Sequence, residues 1–385
     1  MPRRRPRGRP VAARRHGGAA GRPGGDGGSL HVFSRAPDDR RHSARPAGAV
    51  VPPDLSAPGS ADEPRHGALA PLAVLCGPTA VGKTSLAVAL AQRLDAEIVC
   101  ADSRTVYRGM DIGTAKPTAA QRAAVPHHLL DVADPEETFT VAQFQRLARE
   151  AIAAIRQRGR LPLLVGGTGL YIRAVVDDLG LPAVPPDPVL RARLEADARA
   201  AGPAALHARL QAVDPVAASR IHPHNVRRVI RALEVCLATG RPISSQQRRG
   251  PPAAAVIVGL WRARPDLYRR IDARVDEQLS AGLLEETRRL LQRGVPLQAP
   301  AMQGLGYKEL AGYLLGRYDY AEAVRRLKRH TRRYAKRQLT WFRRDARIRW
   351  VDATGREPAA LLPEVHAIMV AAISAQGRGE WEHSR

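Results

Sequence analysis

Cysteine, lysine and aromatic residues are all scarce in this 385-residue sequence. The three cysteines, Cys76, Cys100 and Cys236, lie far apart in apolar stretches. That spacing excludes a disulfide framework or a zinc site and predicts buried free thiols in a reducing compartment, which we take to be the cytoplasm. No apolar run approaches the roughly 20 residues of a transmembrane helix. The arginine-rich N-terminus lacks the apolar core of a secretory signal, so we expect no membrane contact.

Basic residues far outnumber acidic ones, and the formal net charge is +24 with a pI near 11.2. A charge of that sign and size predicts a polyanionic partner, nucleic acid first. Nearly all of the positive charge is arginine, a bias that a GC-rich coding sequence would produce. The chain has only five lysines, at positions 83, 116, 308, 328 and 336. Each of them is a candidate for a specific role, because arginine would have been the default.

Composition divides the chain, whose length suffices for two domains and a sizeable core. Residues 1–68 are rich in arginine, proline and glycine and predict a disordered basic extension. This extension is either an arm that touches RNA or the product of a mis-assigned upstream start codon. The remainder is predicted to comprise the first part of a catalytic core (69–186), a mainly helical insertion with a returning core strand near 256–260 (187–300), the completion of the core with a basic helix (301–373), and a flexible tail (374–385).

One stretch has the form G-x-x-x-x-G-K-T and comprises Gly77, Pro78, Thr79, Ala80, Val81, Gly82, Lys83 and Thr84. A short apolar run of buried-strand type precedes it, and a stretch with an apolar helical stripe follows it. A strand that enters a helix through such a loop aims backbone N–H groups and the positive end of the helix dipole at one point. Lys83 would reach terminal phosphate oxygens there, and the Thr84 hydroxyl would hold Mg²⁺. The motif indicates a phosphate or diphosphate ligand without specifying ATP.

Strands that alternate with helices predict an α/β fold with a parallel sheet and helices on both faces. Two further predicted strands, 97–100 and 163–165, lead into polar turns that contain Asp102 and Thr168. Ligands of open parallel sheets bind at the carboxyl ends of the strands, so we expect these two side chains beside the phosphate loop. For Asp102, a helix cap or an ordinary surface aspartate is the alternative.

Two basic segments predict an RNA-binding surface. Arg227, Arg228 and Arg231 share one face of a predicted helix and suit phosphate contacts, although a solvated arginine face would give the same pattern. Residues 325–344 predict a basic helix in which basic residues are interleaved with aromatic residues, a pattern that suits RNA binding.

Seven sequence blocks resemble those of the tRNA dimethylallyltransferases, also called tRNA isopentenyltransferases. In chain order they are GPTAVGKTSLA, ADSRTVYRGMDIGTAKP, PHHLLDV, LPLLVGGTGLYIRA, IHPHNVRRVIRALEV, MQGLGYKEL and YAKRQLTWFR, within about residues 72–352. The resemblance implies transfer of a dimethylallyl group from dimethylallyl diphosphate to the exocyclic N6 amine of the tRNA adenosine 3′-adjacent to the anticodon. It also implies a P-loop-kinase-like core whose helical insertion, here residues 187–300, grips the anticodon stem-loop.

The resemblance also implies roles for individual residues. Lys83 and the rest of the phosphate loop would hold the diphosphate, Asp102 would take the proton of the adenine amine, and Thr168 would bond the leaving oxygen. Contacts with tRNA are implied for Asp102, Ser103, Arg104, Thr105, Thr168, Arg191, Arg227, Arg228, Val229, Ile230, Arg231, Gln303, Gly304, Leu305, Gly306, Tyr307 and Lys308. The family usually has glutamine where this chain has Thr105, so a base contact by that side chain is not carried over.

Two other functions use the same kind of core. An ATP-dependent small-molecule kinase would need magnesium support, yet the third strand ends in Gly166-Gly167-Thr168 without the strand-end aspartate of many NTPases. A non-catalytic RNA-binding switch protein would leave Asp102 and Thr168 without roles. The motif leaves open whether ATP also binds the phosphate loop, and we expect a monomer.

Overall fold

The computed structural model describes residues 72–247 and 250–382, with side chains as far as residue 375. The predicted disordered extension, 1–68, lies outside the described residues, and so do the last three residues of the predicted tail. The fold was expected to end at residue 373, whereas the last helix continues to Glu382.

In the described range the chain forms six strands, β1 (Leu72–Cys76), β2 (Ala96–Ala101), β3 (His127–His128), β4 (Leu161–Gly166), β5 (Ala255–Trp261) and β6 (Arg349–Asp352). The first seven helices are α1 (Lys83–Arg93), α2 (Ala119–Ala124), α3 (Val141–Gln157), α4 (Gly169–Val176), α5 (Pro188–Ala200), α6 (Gly202–Val213) and α7 (Pro215–Arg220). The next seven are α8 (Val226–Thr239), α9 (Ile243–Gln246), α10 (Arg264–Ser280), α11 (Leu283–Gln292), α12 (Tyr307–Leu314), α13 (Tyr320–Phe342) and α14 (Pro358–Glu382). A 3-10 turn, Ala301–Gln303, precedes α12.

The strands form one sheet in the order β3-β2-β4-β1-β5-β6, and every neighbouring pair is parallel. β1 lies between β4 and β5, with Val74 opposite Leu164 on one side and Ile257 on the other. Because β1 is buried along its whole length, it needs the unbroken apolar sequence LAVLC. The parallel α/β fold predicted from the sequence is confirmed.

Helices cover both faces of the sheet. α1 and α14 pack on one face, where Leu86, Leu90 and Val365 are fully buried. α3 and α4 pack on the other face, where the rings of Phe144 and Tyr171 stack 4.0 Å apart. Each such large apolar side chain contributes roughly 1.5–3 kcal/mol when it is buried. The two layers hold the carboxyl ends of the strands at one edge, where the phosphate loop begins.

One expectation about membranes needs correction. By length and composition, residues Pro358–Ala375 of α14 could cross a membrane, although no such run was recognised in the sequence. The helix is rich in alanine and includes few charged residues, which makes an 18-residue window apolar. Its larger apolar side chains, among them Leu361, Val365 and Met369, pack along one face of the helix against the sheet and α1.

The helices predicted as one insertion, 187–300, fall into two separate groups. α5 to α9 enclose their own core around Leu194, Leu210 and Leu233. α10 and α11 instead pack with α12, α13 and the segment after β2, in a core that contains Met110 and Leu283. The division arises because β5 returns to the sheet between the two groups, so that α10 starts at the edge where β2 ends.

A buried carboxylate holds the first helical group together. Glu234 on α8 accepts two hydrogen bonds from Arg191, both 2.8 Å, one from Arg231 at 2.6 Å and one from the Asp187 N–H at 2.7 Å. Burial alone would raise the pKa of Glu234, but the hydrogen bonds from Arg191, Asp187 and Arg231 outweigh burial and hold it below its ordinary value. Two of the arginines expected to contact tRNA, Arg191 and Arg231, therefore also hold this helical group together.

We expect Glu234→Gln to lower the free energy of unfolding by about 2–3 kcal/mol, because an NH₂ group would then face two guanidinium groups. Since the pKa of Glu234 is lowered in the folded chain, its contribution should be complete above about pH 4.3, the ordinary glutamate value. The contribution should be lost as the pH falls through the lower folded-state pKa. Urea unfolding followed by circular dichroism at neutral and acidic pH measures both effects.

The matched control is Arg227→Gln, because Arg227 is exposed and has no ion pair in the described part of the chain. Its effect should stay within about 0.5 kcal/mol. A Glu234→Gln loss no larger than the control's, or one that is the same at acidic pH, would contradict the assigned role.

Candidate active site

The phosphate loop leaves its N–H groups free on one side. In the described residues, the backbone N–H groups of the run 80–84 have no hydrogen-bond acceptor. Gly77 begins the loop with φ +147°, and a Cβ there would lie 2.6 Å from the carbonyl oxygen of Leu260, so only glycine fits between β1 and β5. Several unsatisfied donors at the start of α1 form an anion-binding site.

The carbonyl groups of the same loop are satisfied by basic side chains. Lys83 Nζ donates to the carbonyl oxygens of Gly77 at 3.0 Å and Pro78 at 2.7 Å. Arg262, which is buried, donates to the Val81 carbonyl at 3.1 Å. Because protein cations hold the carbonyl groups, the N–H groups are left for a ligand.

Lys83 is half-buried and has no ion pair in the described structure. Burial lowers the pKa of Lys83 to about 8, while attraction by Asp102 opposes and repulsion by Arg274 reinforces that shift. A bound polyanion would restore the preference for the charged ammonium.

Arg274 on α10 is a site residue that the sequence analysis missed. Its half-buried guanidinium interacts electrostatically with Asp102 and Lys83, and no carboxylate in the described residues lies within ion-pair distance of it. Burial lowers its pKa despite the attraction of Asp102. An arginine with no carboxylate partner in the described residues, close to the free N–H groups of the loop, is suited to bind phosphate oxygens. It belongs to no motif near the loop, so only the packing of α10 could reveal it.

Asp102 and Thr168 lie on neighbouring strand ends, as predicted. The Ser103 N–H donates to Thr168 Oγ1 at 3.1 Å and ties the end of β2 to the end of β4. Asp102 Oδ1 accepts the Arg104 N–H at 2.9 Å, and its other carboxylate oxygen has no partner in the described structure. Thr105 is buried, and its hydroxyl donates to the Asp102 carbonyl at 3.5 Å, so it contributes to the turn.

Helix α13 forms the wall above these strand ends. A Cβ at Gly169 would lie 2.1 Å from Trp341 Cδ1, and one at Gly167 would lie 2.4 Å from Gln338 Nε2. The glycines after β4 are therefore required by the close approach of α13. Tyr334 reaches the Thr168 side chain with a hydrogen bond, and burial raises the pKa of its hydroxyl. Tyr334 and Gln338 were not assigned to the site from the sequence, because their long-range contacts have no local signal.

Two buried charges shape the glycine-rich loop after β2. The Glu286 carboxylate accepts the backbone N–H groups of three successive residues, 111 to 113, at 2.9 to 3.1 Å, and the Tyr307 hydroxyl at 2.6 Å. Lys116, one of the five lysines, donates to the Tyr107 carbonyl and to the carboxylates of Asp111 and Asp131. These hydrogen bonds hold the loop after β2 in place beside the ends of the strands.

The structure separates the residues expected to contact tRNA into exposed and enclosed groups. Exposed side chains belong to Arg227, Arg228, Gln303 and Lys308, whereas Arg104 and Leu305 are half-buried. Arg104 donates to the Pro300 carbonyl.

Other members of that set are buried, so the expectation that their side chains contact tRNA is not supported by this structure. Val229 and Ile230 belong to the core of the first helical group, and Tyr307 to that of the second. Gly304 and Gly306 are also buried. Helical and turn positions alternate between solvent and core, so a contiguous run of sequence cannot form one contact surface.

The residues present fit a magnesium ion held mainly by its ligand. The half-buried Thr84 hydroxyl has no protein partner in the described part of the chain, and no cluster of three His, Cys, Asp or Glu side chains there could hold a metal. One hydroxyl together with diphosphate and water oxygens is a usual Mg²⁺ shell.

Comparison with known proteins identifies the family. The IPP transferase family model matches residues 105–345, and the isopentenyl transferase model matches residues 70–134. The chain is 53% identical over 285 residues to the tRNA dimethylallyltransferase of Thermomicrobium roseum. The alignment covers 74% of this chain and 87% of that relative. It is also 56% identical over 275 residues to the tRNA dimethylallyltransferase of a Roseiflexus species, an alignment that covers 71% of this chain and 90% of the relative.

Solved structures agree. The full-length tRNA isopentenylpyrophosphate transferase of Bacillus halodurans matches with a TM-score of 0.62 and 46% identity over 81% of this chain and 99% of that chain. A eukaryotic dimethylallyltransferase acting on tRNA matches with a TM-score of 0.63 and 29% identity over 74% of each chain. The expected fold and family are confirmed, and the chain belongs to the tRNA dimethylallyltransferase family.

Proposed function

We propose that the chain transfers a dimethylallyl group from dimethylallyl diphosphate to the N6 amine of the adenosine 3′-adjacent to the anticodon of tRNA. The products are N6-isopentenyladenosine in tRNA and diphosphate. The observation that carries the proposal is a free carboxylate oxygen on Asp102 at the same sheet edge as an anion-binding loop. A carboxylate for the nucleophile and a cradle for the leaving group are what this transfer needs.

The leaving group is stabilised first. As the bond between the allylic carbon and oxygen breaks, its electron pair goes to the diphosphate. The free N–H groups of the loop, Lys83 and Arg274 face that developing charge. Mg²⁺ on Thr84 and the phosphate oxygens would add further neutralisation.

The amine attacks at the same edge of the sheet. The N6 lone pair forms the new carbon–nitrogen bond, and Asp102 accepts the N6 proton. Thr168 accepts the Ser103 N–H at 3.1 Å, and its hydroxyl donates to Ser103 Oγ over a long 3.5 Å, a bond that an oxygen of the substrate would replace. The adenine must leave its stack to reach Asp102, which favours a single-stranded loop such as that of the anticodon stem-loop.

One incubation separates this function from an ATP-dependent kinase or switch. Labelled dimethylallyl diphosphate, tRNA and Mg²⁺ without ATP should give label in tRNA at the adenosine beside the anticodon. Absence of label, with ATP hydrolysed in a parallel tube, would contradict the proposal. We also propose that the chain acts as a monomer in the cytoplasm, and size-exclusion with light scattering tests the first part.

We expect Lys83→Ala and Thr84→Ala to lower the transfer rate by about 10²-fold each, because each removes one contact to the leaving charge, worth ~3 kcal/mol. Ser85→Ala is the matched control, since the Ser85 side chain is exposed and lies one residue further along α1. Single-turnover assays should find the control near the native rate. Near-native rates in both loop variants, with the fold intact, would refute the phosphate-loop assignment.

Asp102→Asn keeps the size of the side chain and one acceptor oxygen but cannot take a proton. We expect turnover to fall by about 10²–10⁴-fold while tRNA affinity stays within a few-fold. Asp95→Asn, at the opposite end of the same strand and exposed, should change neither quantity. If tRNA binding collapses while bound complexes still react at the native rate, Asp102 is a recognition residue and not the base.

The exposed arginines at the start of α8 allow a test of the RNA surface. Arg227→Glu with Arg228→Glu should weaken tRNA binding and reduce its dependence on salt, because phosphate contacts release counterions. Affinity for dimethylallyl diphosphate should be unchanged. Arg146→Glu on α3 reverses one charge on another exposed surface and should leave tRNA binding near native. An unchanged salt slope in the double variant would mean that these arginines are only solvated.

A further inference from the structure

One side chain of α13 connects the phosphate loop to the end of β4. Gln338 is only 6% exposed. Its Oε1 accepts the Thr79 N–H at 2.9 Å, and its Nε2 donates to the Gly167 carbonyl at 2.9 Å. The two partners fix the orientation of the amide, because one is a donor and the other an acceptor. The absence of a side chain at Gly167 makes room for it.

The Thr79 N–H differs from the other N–H groups of the loop because it already has a protein acceptor. Pro78 has no N–H, and the N–H groups of residues 80–84 are free in the described structure, so Thr79 is the loop position whose donor is already used. The amide of Gln338 also fills the space in front of that donor. The array of free donors therefore runs from Ala80 to the start of α1 and stops at Gln338.

The geometry points to Gln338 as a residue that selects diphosphates against triphosphates in this loop. Donors at the start of α1 hold one phosphate group, and those of residues 80 and 81 with Lys83 hold a second. A third phosphate group has Thr79 as its next loop donor, and Gln338 occupies it. This inference rests on the proposed function and specifies the class of anion that the same site accepts.

Inorganic pyrophosphate and tripolyphosphate, each with Mg²⁺, are the probes, and isothermal titration gives their dissociation constants. The native chain should bind pyrophosphate at least about tenfold more tightly than tripolyphosphate. Gln338→Ala frees both the Thr79 donor and the space before it, and it should shift the ratio of the two constants toward tripolyphosphate by about 10- to 100-fold, the usual worth of a hydrogen bond to a charged group. Gln338→Met frees the donor but keeps the bulk, so its shift should be smaller.

Gln338→Glu supplies the opposite test. The carboxylate still accepts the Thr79 N–H, so the preference for pyrophosphate should remain, while the added negative charge and the lost hydrogen bond to the Gly167 carbonyl weaken the binding of both anions. Thr340→Ala, exposed and two residues further along α13, is the matched control and should keep the native ratio. Circular dichroism and tRNA binding check that each variant is folded.

Equal binding of the two anions by the native chain would overturn the inference without any variant. A native ratio in folded Gln338→Ala would do the same. The two proposals fail separately. Transfer of label to tRNA together with equal anion binding refutes only the role of Gln338, whereas a pyrophosphate preference without transfer refutes only the proposed function.

Discussion

Unsatisfied positive charge at one edge of the sheet is the constraint on which the rest of this structure depends. The free N–H groups of the phosphate loop, the Lys83 ammonium and the Arg274 guanidinium gather there, with Asp102 as the nearby carboxylate. Burial lowers the pKa of both cations, so the free site disfavours its own charge. Only packing elsewhere can hold such an arrangement, and a bound polyanion relieves it. The apolar layers on both faces of the sheet supply that packing.

Helix α13 packs over the phosphate loop and also carries exposed positive charge. Tyr334, Gln338 and Trp341 follow a spacing of four and three residues and so share one face, which lies against Thr168, the phosphate loop and Gly169. Exposed cations occupy neighbouring positions 333, 336 and 337 on the other faces of the helix. One amphipathic helix thus packs over the phosphate loop with one face and exposes positive charge on another, as the proposed transfer between two anionic substrates needs.

Features that depend on short stretches of sequence were predicted correctly. The phosphate loop, the parallel sheet and the meeting of Asp102 with Thr168 follow from strand–loop–helix patterns and from the rule that strand ends share an edge. Arg274 and Gln338 were missed because helices far along the chain bring them to the site. Contiguous runs such as 227–231 were overextended, since helical periodicity places Val229 and Ile230 in the core. The returning strand near 256–260 was predicted and is β5, but the packing of the helices after it with α12 and α13 was not, because those contacts are long-range.

Asp102 differs from the buried carboxylates of the chain in how few hydrogen bonds it accepts. In a chain with 61 basic and 37 acidic residues, the buried acids are committed to structure. Glu234 and Glu286 each accept several hydrogen bonds, and Glu309 accepts the Gly306 N–H and bonds His330. Asp102 accepts a single backbone N–H and lies at the site edge with one oxygen free in the described structure. On an ordinary protein surface, a carboxylate with a free oxygen next to a lysine or arginine would form an ion pair with it. Here the loop carbonyls hold Lys83, and Asp102 remains available to an amine that brings its own proton.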